Sequence, residues 1–97
     1  MQNVEDIKRA LSSNKAELRL KFKVKDIGVF GSYVRGEQKR ASDVDVLVEF
    51  KEPVGLFEFV ALENYLSDLL GVKVDLVSKK ALKPHIGKRI LQEVVMV

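Results

Sequence analysis

Apolar residues in the first quarter of the chain recur at helical spacing. Val4, Ile7, Leu11, Leu18 and Phe22 fall on one stripe, interrupted once at Ser12-Ser13-Asn14. Asn3 is a suitable N-cap, with Asp6 in the opening turn, so the pattern predicts a helix over about 4–21 with a kink. The rhythm then changes. Asp26-Ile27-Gly28-Val29-Phe30 reads as a short buried strand that Gly31-Ser32 stops, and Tyr33 to Glu37 can make a short helical turn. From Asp43 to Phe50 the alternation has period two: Val44, Val46, Val48 and Phe50 point one way, Asp43, Asp45, Leu47 and Glu49 the other. Pro53 and Gly55 break that strand. Leu56, Phe59, Leu62, Leu66 and Leu70 then mark one stripe of a helix that Gly71 ends. Lys73 to Ser78 predicts a third strand, with Val74 and Leu76 toward the core and Asp75 opposite. Pro84 sits in the first turn of a last helix whose apolar side is Ile86, Ile90 and Leu91, ahead of a Val94-Val95-Met96-Val97 tail. The order αβ(α)βαβα contains no repeat and no linker. It predicts an α/β (α+β) fold, a small mixed three-stranded sheet flanked by helices, in one domain spanning 1–97.

Composition narrows the chemistry. With 97 residues there is no room for a second substrate domain, while 46% hydrophobic residues suffice for one core. No cysteine and a single histidine exclude disulfide frameworks, thiolate zinc sites and histidine-rich metal centres, so any metal must be hard and bound by oxygen. The acidic start Met-Gln-Asn-Val-Glu-Asp is unlike a signal peptide, and no apolar run approaches the roughly 18 residues of a membrane span; the expectation is a cytoplasmic protein without membrane contact. The net charge of +3 averages basic flanks around an acidic middle. The bases are scattered without interleaved aromatics, so direct nucleic-acid binding is not expected.

The residues that carry chemistry stand at element boundaries. Asp43 and Asp45, two apart at a strand start, project from one face with Cα atoms about 6.5 Å apart. That spacing suits a pair of cations about 3.5–4 Å apart. Asp75 lies on the non-core face of the only other strand with a central acid, and adjacent pairing would bring it beside them. Three such carboxylates repel one another unless a cation neutralises them; Mg²⁺ does so and keeps coordination sites open for phosphate oxygens and water. Gly31-Ser32 supplies the complementary half, because glycine lets backbone approach a phosphate and the serine hydroxyl and nearby N–H groups face the anion. Gly31 ends one strand and Asp43 begins the next, so the two halves meet only if those strands run antiparallel. There is no Gly-Lys-Ser/Thr of a Walker loop, and Leu47 stands where an EF-hand loop needs a ligand.

Gly31-Ser32-Tyr33-Val34-Arg35-Gly36, five residues, then Ser42-Asp43-Val44-Asp45-Val46-Leu47-Val48 resembles the G-S-x-x-R-G-x5-S-D-x-D-x-x-V signature of the minimal nucleotidyltransferases (MNT) of the DNA polymerase β superfamily. Leu69-Leu70-Gly71-Val72-Lys73-Val74-Asp75-Leu76-Val77 is similar to the family's segment bearing the third carboxylate. The resemblance implies Mg²⁺-dependent transfer of a nucleoside monophosphate from a triphosphate, with two ions and Mn²⁺ as a substitute. Asp43 and Asp45 would hold both metals, Asp75 would complete the site and help activate the acceptor hydroxyl, and Gly31 and Ser32 would bind the β and γ phosphates. Stand-alone members resemble the antitoxin partners of HEPN-domain toxins. The implied activity is transfer of AMP from ATP onto a tyrosine of the toxin, silencing its RNase activity. Two alternatives stay open: a non-catalytic nucleotide-binding antitoxin or subunit that masks a helical partner by contact, and a small-molecule nucleotidyltransferase.

Other residues are ambiguous from sequence. Arg35 reaches either the triphosphate or a structural ion pair. Ser42 is expected to order the start of the strand, Glu49 to lie too far along to be a ligand, His85 to be a solvated helix residue, and Tyr33 to pack rather than stack on a base. On the helix of 56–70, Phe57, Ala61 and Asn64 face away from the core stripe beside Asp68. Phe57 is thus a candidate anchor for a partner protein or a second copy of the chain, with the helix's acids matching a basic partner.

Overall fold

A computed structural model describes residues 2–97. Helices α1 (Val4–Ser13) and α2 (Lys15–Phe22) lead into β1 (Val24–Phe30), the short α3 (Ser32–Arg35), β2 (Val44–Phe50) and α4 (Leu56–Leu70). β3 (Val74–Ser78), a single 3₁₀ turn, α5 (Pro84–Glu93) and β4 (Val95–Met96) complete the chain. The sheet order is β3-β2-β1-β4. β2 and β3 run parallel, joined by α4, while β1 is antiparallel to both β2 and β4.

The expected first helix is two. Asn3 caps α1 as anticipated, accepting from the Asp6 N–H at 2.9 Å. Asn14 then divides the stretch: its amide donates to the Ala10 carbonyl at 2.8 Å, and its backbone leaves helical values. A side chain that bonds the preceding turn competes with continuation of the helix. Leu18 and Phe22 still reach the core, and Phe22 meets Tyr65 edge-on at 4.9 Å.

The core lies between α1, α2, α4 and one face of the sheet. Ile7, Leu11, Leu18, Leu62 and Leu66 pack on Ile27, Val29, Val44, Val46, Val48 and Val74, all fully or almost fully buried. Each such side chain contributes about 1.5–3 kcal/mol of burial. The parity of β2 is as predicted, except that Leu47, on the acidic face, is buried. α5 and the C-terminal strand lie over the middle of that face, where Leu47 lines a small cavity together with Leu91, Val94 and Met96.

That C-terminal strand is the second departure from expectation: the sheet has four strands, not three. The apolar tail pairs with β1, Gly28 opposite Met96 and Val29 opposite Val95, and the Val97 N–H donates to the Ile27 carbonyl at 3.0 Å. Gly28 admits it. A Cβ there would stand 2.7 Å from Met96 Sδ and 2.9 Å from the Val95 carbonyl. At the other edge, α4 seals β3: the Ser67 hydroxyl accepts from the Val74 N–H at 3.0 Å and the Glu63 carboxylate from the Leu76 N–H at 2.9 Å. An edge strand otherwise presents open N–H groups, so these two bonds both protect the edge and hold Asp75 between them in register.

Leu56 leaves the predicted core stripe of α4 and is exposed, with Phe57 and Val60 beside it. Phe57 is 90% exposed, so neither terminal helix covers it. The acids of α4 are largely engaged within the chain, Glu58 by Lys23 at 3.2 Å and Glu63 by β3, which leaves Asp68 of the charges expected to face a partner. Ile86 and Leu91 are also more exposed than the periodicity of α5 suggests. Among the described residues no helix is long and apolar enough to cross a membrane.

Candidate active site

The start of β2 is the centre of the site. Asp45 lies opposite Phe30 on β1 and opposite Asp75 on β3, so the antiparallel and parallel pairings together set the Gly31 turn and the third carboxylate on either side of it. Asp43 immediately precedes β2, where the Val44 N–H donates to the Lys73 carbonyl at 2.9 Å. Its carboxylate lies 4.0 Å from Lys73 Nζ, a long and exposed pair. The three acids therefore share one end and one face of the sheet.

Gly31 has φ +82° and ψ −154°, a region essentially reserved for glycine. Space demands glycine as well: a Cβ at this position would be 2.0 Å from Asp45 Oδ2 and 2.9 Å from its Cγ. The turn and the carboxylate are thus in direct apposition, which only a residue without a side chain permits. Asp45 feels the crowding. Burial, then the Asp75 and Asp43 charges, push its pKa above the usual aspartate range against the opposing pull of Arg35.

A hard divalent cation fits this donor set chemically: three oxygen-donating carboxylates, one of which is held in an unfavourable field that a cation would reverse. Among the described residues no three acidic or imidazole groups are drawn close enough to cage an ion by themselves. Asp43, Asp45 and Asp75 are nonetheless the carboxylates that this end of the sheet brings to one face.

The opposite wall comes from α5, which the sequence reading did not include. A cleft of about 300 Å³ is lined by Phe30, Gly31, Arg35 and Asp45 on one side and Ile86, Arg89, Ile90 and Glu93 on the other. Glu93 accepts a hydrogen bond from the Gly31 N–H at 2.8 Å, and its other oxygen accepts from Arg35. Burial alone would raise the pKa of Glu93, but Arg35 and the Gly31 N–H outweigh it and hold the carboxyl below the usual glutamate range. Arg35 also pairs with Glu37 at 2.7 Å. Arg35 thus makes structural ion pairs to Glu37 and to Glu93, one within its own turn and one across the cleft. Arg89 has no ion-pair partner within 4 Å among the described residues.

One signal for Glu93 was present in the sequence. It is the single acid in the basic stretch 79–97, and it stands at the C-terminus of a helix, where the macrodipole disfavours negative charge. Tyr33, Ser42 and His85 lie where the sequence placed them. Tyr33 is buried, its hydroxyl 3.5 Å from the Ser42 carbonyl. Ser42 Oγ accepts from the Lys39 N–H at 2.8 Å and so orders the approach to β2. Glu49 faces Lys79 at 3.9 Å, and His85 is exposed.

Comparison with known proteins points the same way as this geometry. The chain is 55% identical over 97 residues to the protein adenylyltransferase MntA of Thermococcus cleftensis, covering 100% of this chain and 98% of the relative. A solved structure of the minimal nucleotidyltransferase type superposes with a TM-score of 0.80 at 35% identity, covering 97% of this chain and 95% of that one. Another, a toxin–antitoxin complex with AMP-PNP, superposes at 0.72 with 25% identity, over 98% of this chain and 72% of the other. The profile of the nucleotidyltransferase domain matches residues 11–97, a span that takes in the Gly31 turn, all three aspartates and the Glu93 wall, and the chain belongs to that family of enzymes.

Proposed function

We propose that residues 1–97 act as one minimal domain that transfers AMP from ATP to a tyrosine hydroxyl of a HEPN-type toxin, acting as its antitoxin in the cytoplasm. The observation that carries this reading is the apposition of Gly31 and Asp45, with Asp75 in register beside it: a glycine turn and a carboxylate set meeting at one sheet end. The similarity to an MntA adenylyltransferase, and to a toxin–antitoxin assembly that binds an ATP analogue, supports the donor and the class of partner.

In the proposed reaction the acceptor oxygen attacks the α-phosphorus, the bond from that phosphorus to the β-bridging oxygen breaks, and pyrophosphate leaves. The hydroxyl proton passes to Asp75, the most exposed of the three carboxylates and so the one an incoming side chain can reach. Asp43 and Asp45 would hold Mg²⁺, and Asp75 would complete the set. Bound there, the cations would neutralise charge on the attacking and leaving oxygens. Ser32 offers its hydroxyl to the triphosphate beside Gly31, and Arg89 is the cation of the cleft not committed to an ion pair. In this reading the acceptor hydroxyl is presented by the partner.

Two measurements test this reading. ATP should bind weakly in chelator and at least about tenfold more tightly with Mg²⁺ or Mn²⁺, since the triphosphate otherwise enters a field of three carboxylates. Calorimetric titration with and without cation decides it, and equal affinity in chelator would sink the two-metal assignment. The partner surface is expected on α4, where Leu56, Phe57 and Val60 form an exposed apolar patch. Phe57→Ser should weaken toxin binding by about tenfold or more, as loss of an aromatic anchor does, while Mg²⁺-ATP affinity and melting temperature stay unchanged. A variant that melts several degrees lower with its assembly intact would place Phe57 outside the interface.

A further inference from the structure

The end of the chain is built to reach the glycine turn. β4 is fixed to β1 by strand pairing, and Lys15 Nζ donates to the Val97 carbonyl at 3.0 Å. The absence of a Cβ at Gly28 lets Val94, Val95 and Met96, which follow α5 directly, lie close to β1. Glu93 is the final residue of that helix, and its side chain spans 62 positions of sequence to meet Gly31. It does so at the helix end least favourable to an anion, and it crowds Asp45 with a further negative charge. A carboxylate kept in such a place, with each oxygen on a different member of the Gly31–Arg35 turn, needs a local use.

We propose that Glu93 is a positioning residue of the nucleotide site: it holds the Gly31 N–H and the Arg35 guanidinium so that the turn stands against Asp45 in the conformation that receives the triphosphate. The proposal rests on the nucleotidyl-transfer reading. It also redistributes the roles. With its N–H engaged by Glu93, Gly31 contributes its missing side chain rather than a hydrogen bond, and Arg35 acts as the strut of the turn. The direct polar contacts to phosphate then fall to Ser32 and, across the cleft, to Arg89.

Glu93→Ala and Glu93→Gln separate this role from simple packing. Glutamine keeps an oxygen acceptor for the Gly31 N–H while turning an amide toward Arg35; alanine removes both. Alanine should raise KM for Mg²⁺-ATP about tenfold with kcat within about threefold, and glutamine, which keeps the Gly31 bond but sets an amide donor against the Arg35 guanidinium, should raise KM by less than alanine does, since a loosened turn costs substrate positioning. Independently of turnover, hydrogen exchange at the Gly31 amide should lose its protection in the alanine variant and keep it in the glutamine variant. An alanine variant that melts at lower temperature but has wild-type KM, or that binds Mg²⁺-ATP more tightly than wild type, overturns the proposal; the latter would make the carboxylate a competitor of phosphate. Wild-type protein that neither binds nor consumes Mg²⁺-ATP would instead sink the nucleotide reading, and the role of Glu93 in it.

Discussion

Replacing Asp43 and Asp45 together by Asn is expected to cut AMP transfer by at least about a thousandfold while leaving the protein folded. The activity loss follows from removing the two residues best placed to hold the cations, whose charge stabilisation amounts to several kcal/mol of barrier. The fold should survive because neither side chain is part of the core; Val44, Val46 and Val48 carry that burden on the other face of β2. Stability should even improve. The pKa of Asp45 is raised by burial and by Asp75 and Asp43, so the native state binds that proton more tightly than the unfolded chain does. Such a group adds nothing adverse below its unfolded pKa, and native stability is lost as pH rises through the folded pKa. At neutral pH, ionised Asp45 therefore costs stability that Asp45→Asn restores. In chelator at pH 7 the single variant should melt a few degrees higher than wild type, and the difference should vanish toward about pH 4, where an ordinary aspartate is protonated. Mg²⁺ should raise the melting temperature of wild type and leave the double variant unmoved. A double variant that unfolds in metal-free buffer would show the pair to be structural and favour a contact-only antitoxin.

What was legible in the sequence was what two simple periods encode. The period-two alternation of 43–50 placed both aspartates off the core face, and a strand-helix-strand order made a parallel neighbour for Asp75 the natural pairing. The antiparallel β1–β2 pair followed from the need to bring Gly31 to Asp43 and Asp45, and Phe30 does lie opposite Asp45. The parts that escaped depend on long-range closure. Val94 to Val97 is uniformly apolar, so nothing in its pattern distinguishes a frayed tail from a strand; the missing side chain of Gly28, 68 residues before Met96, is what seats it. Glu93 escaped for the same reason, since its use is defined by a turn at the other end of the domain. Arg35 was ambiguous because an arginine's partner is not written in its own neighbourhood: Glu37 is local, but Glu93 is 58 residues away. At Asn14 a local competition, side chain against helix continuation, was visible only as an interruption.

Gly31→Ala is expected to have the second large effect, and its comparison with Gly36→Ala isolates the cause. Both glycines have positive φ, +82° and +71°. At Gly36 an added Cβ meets nothing within 4 Å, so alanine there should cost only the left-handed backbone penalty, about 1–2 kcal/mol, and leave transfer within about threefold of wild type. At Gly31 the backbone lies in a region that is almost glycine-only, with a strain cost of about 1–3 kcal/mol, and the new methyl would also overlap the Asp45 carboxylate. Relief by rotation of Asp45 is incomplete, because its Cβ would be only 3.2 Å away; either the turn retreats or the carboxylate leaves the shared face. Either movement separates the glycine turn from the carboxylates by about a side-chain diameter. Displacements of even about 1 Å at a reacting centre can cost a hundredfold, so transfer should fall by at least that factor in protein that remains folded. Activity measured per folded molecule, with the folded fraction taken from circular dichroism, makes the comparison. Equal and small losses for the two variants would mean that the Gly31–Asp45 contact has no part in the reaction, and the site assigned here would have to be moved.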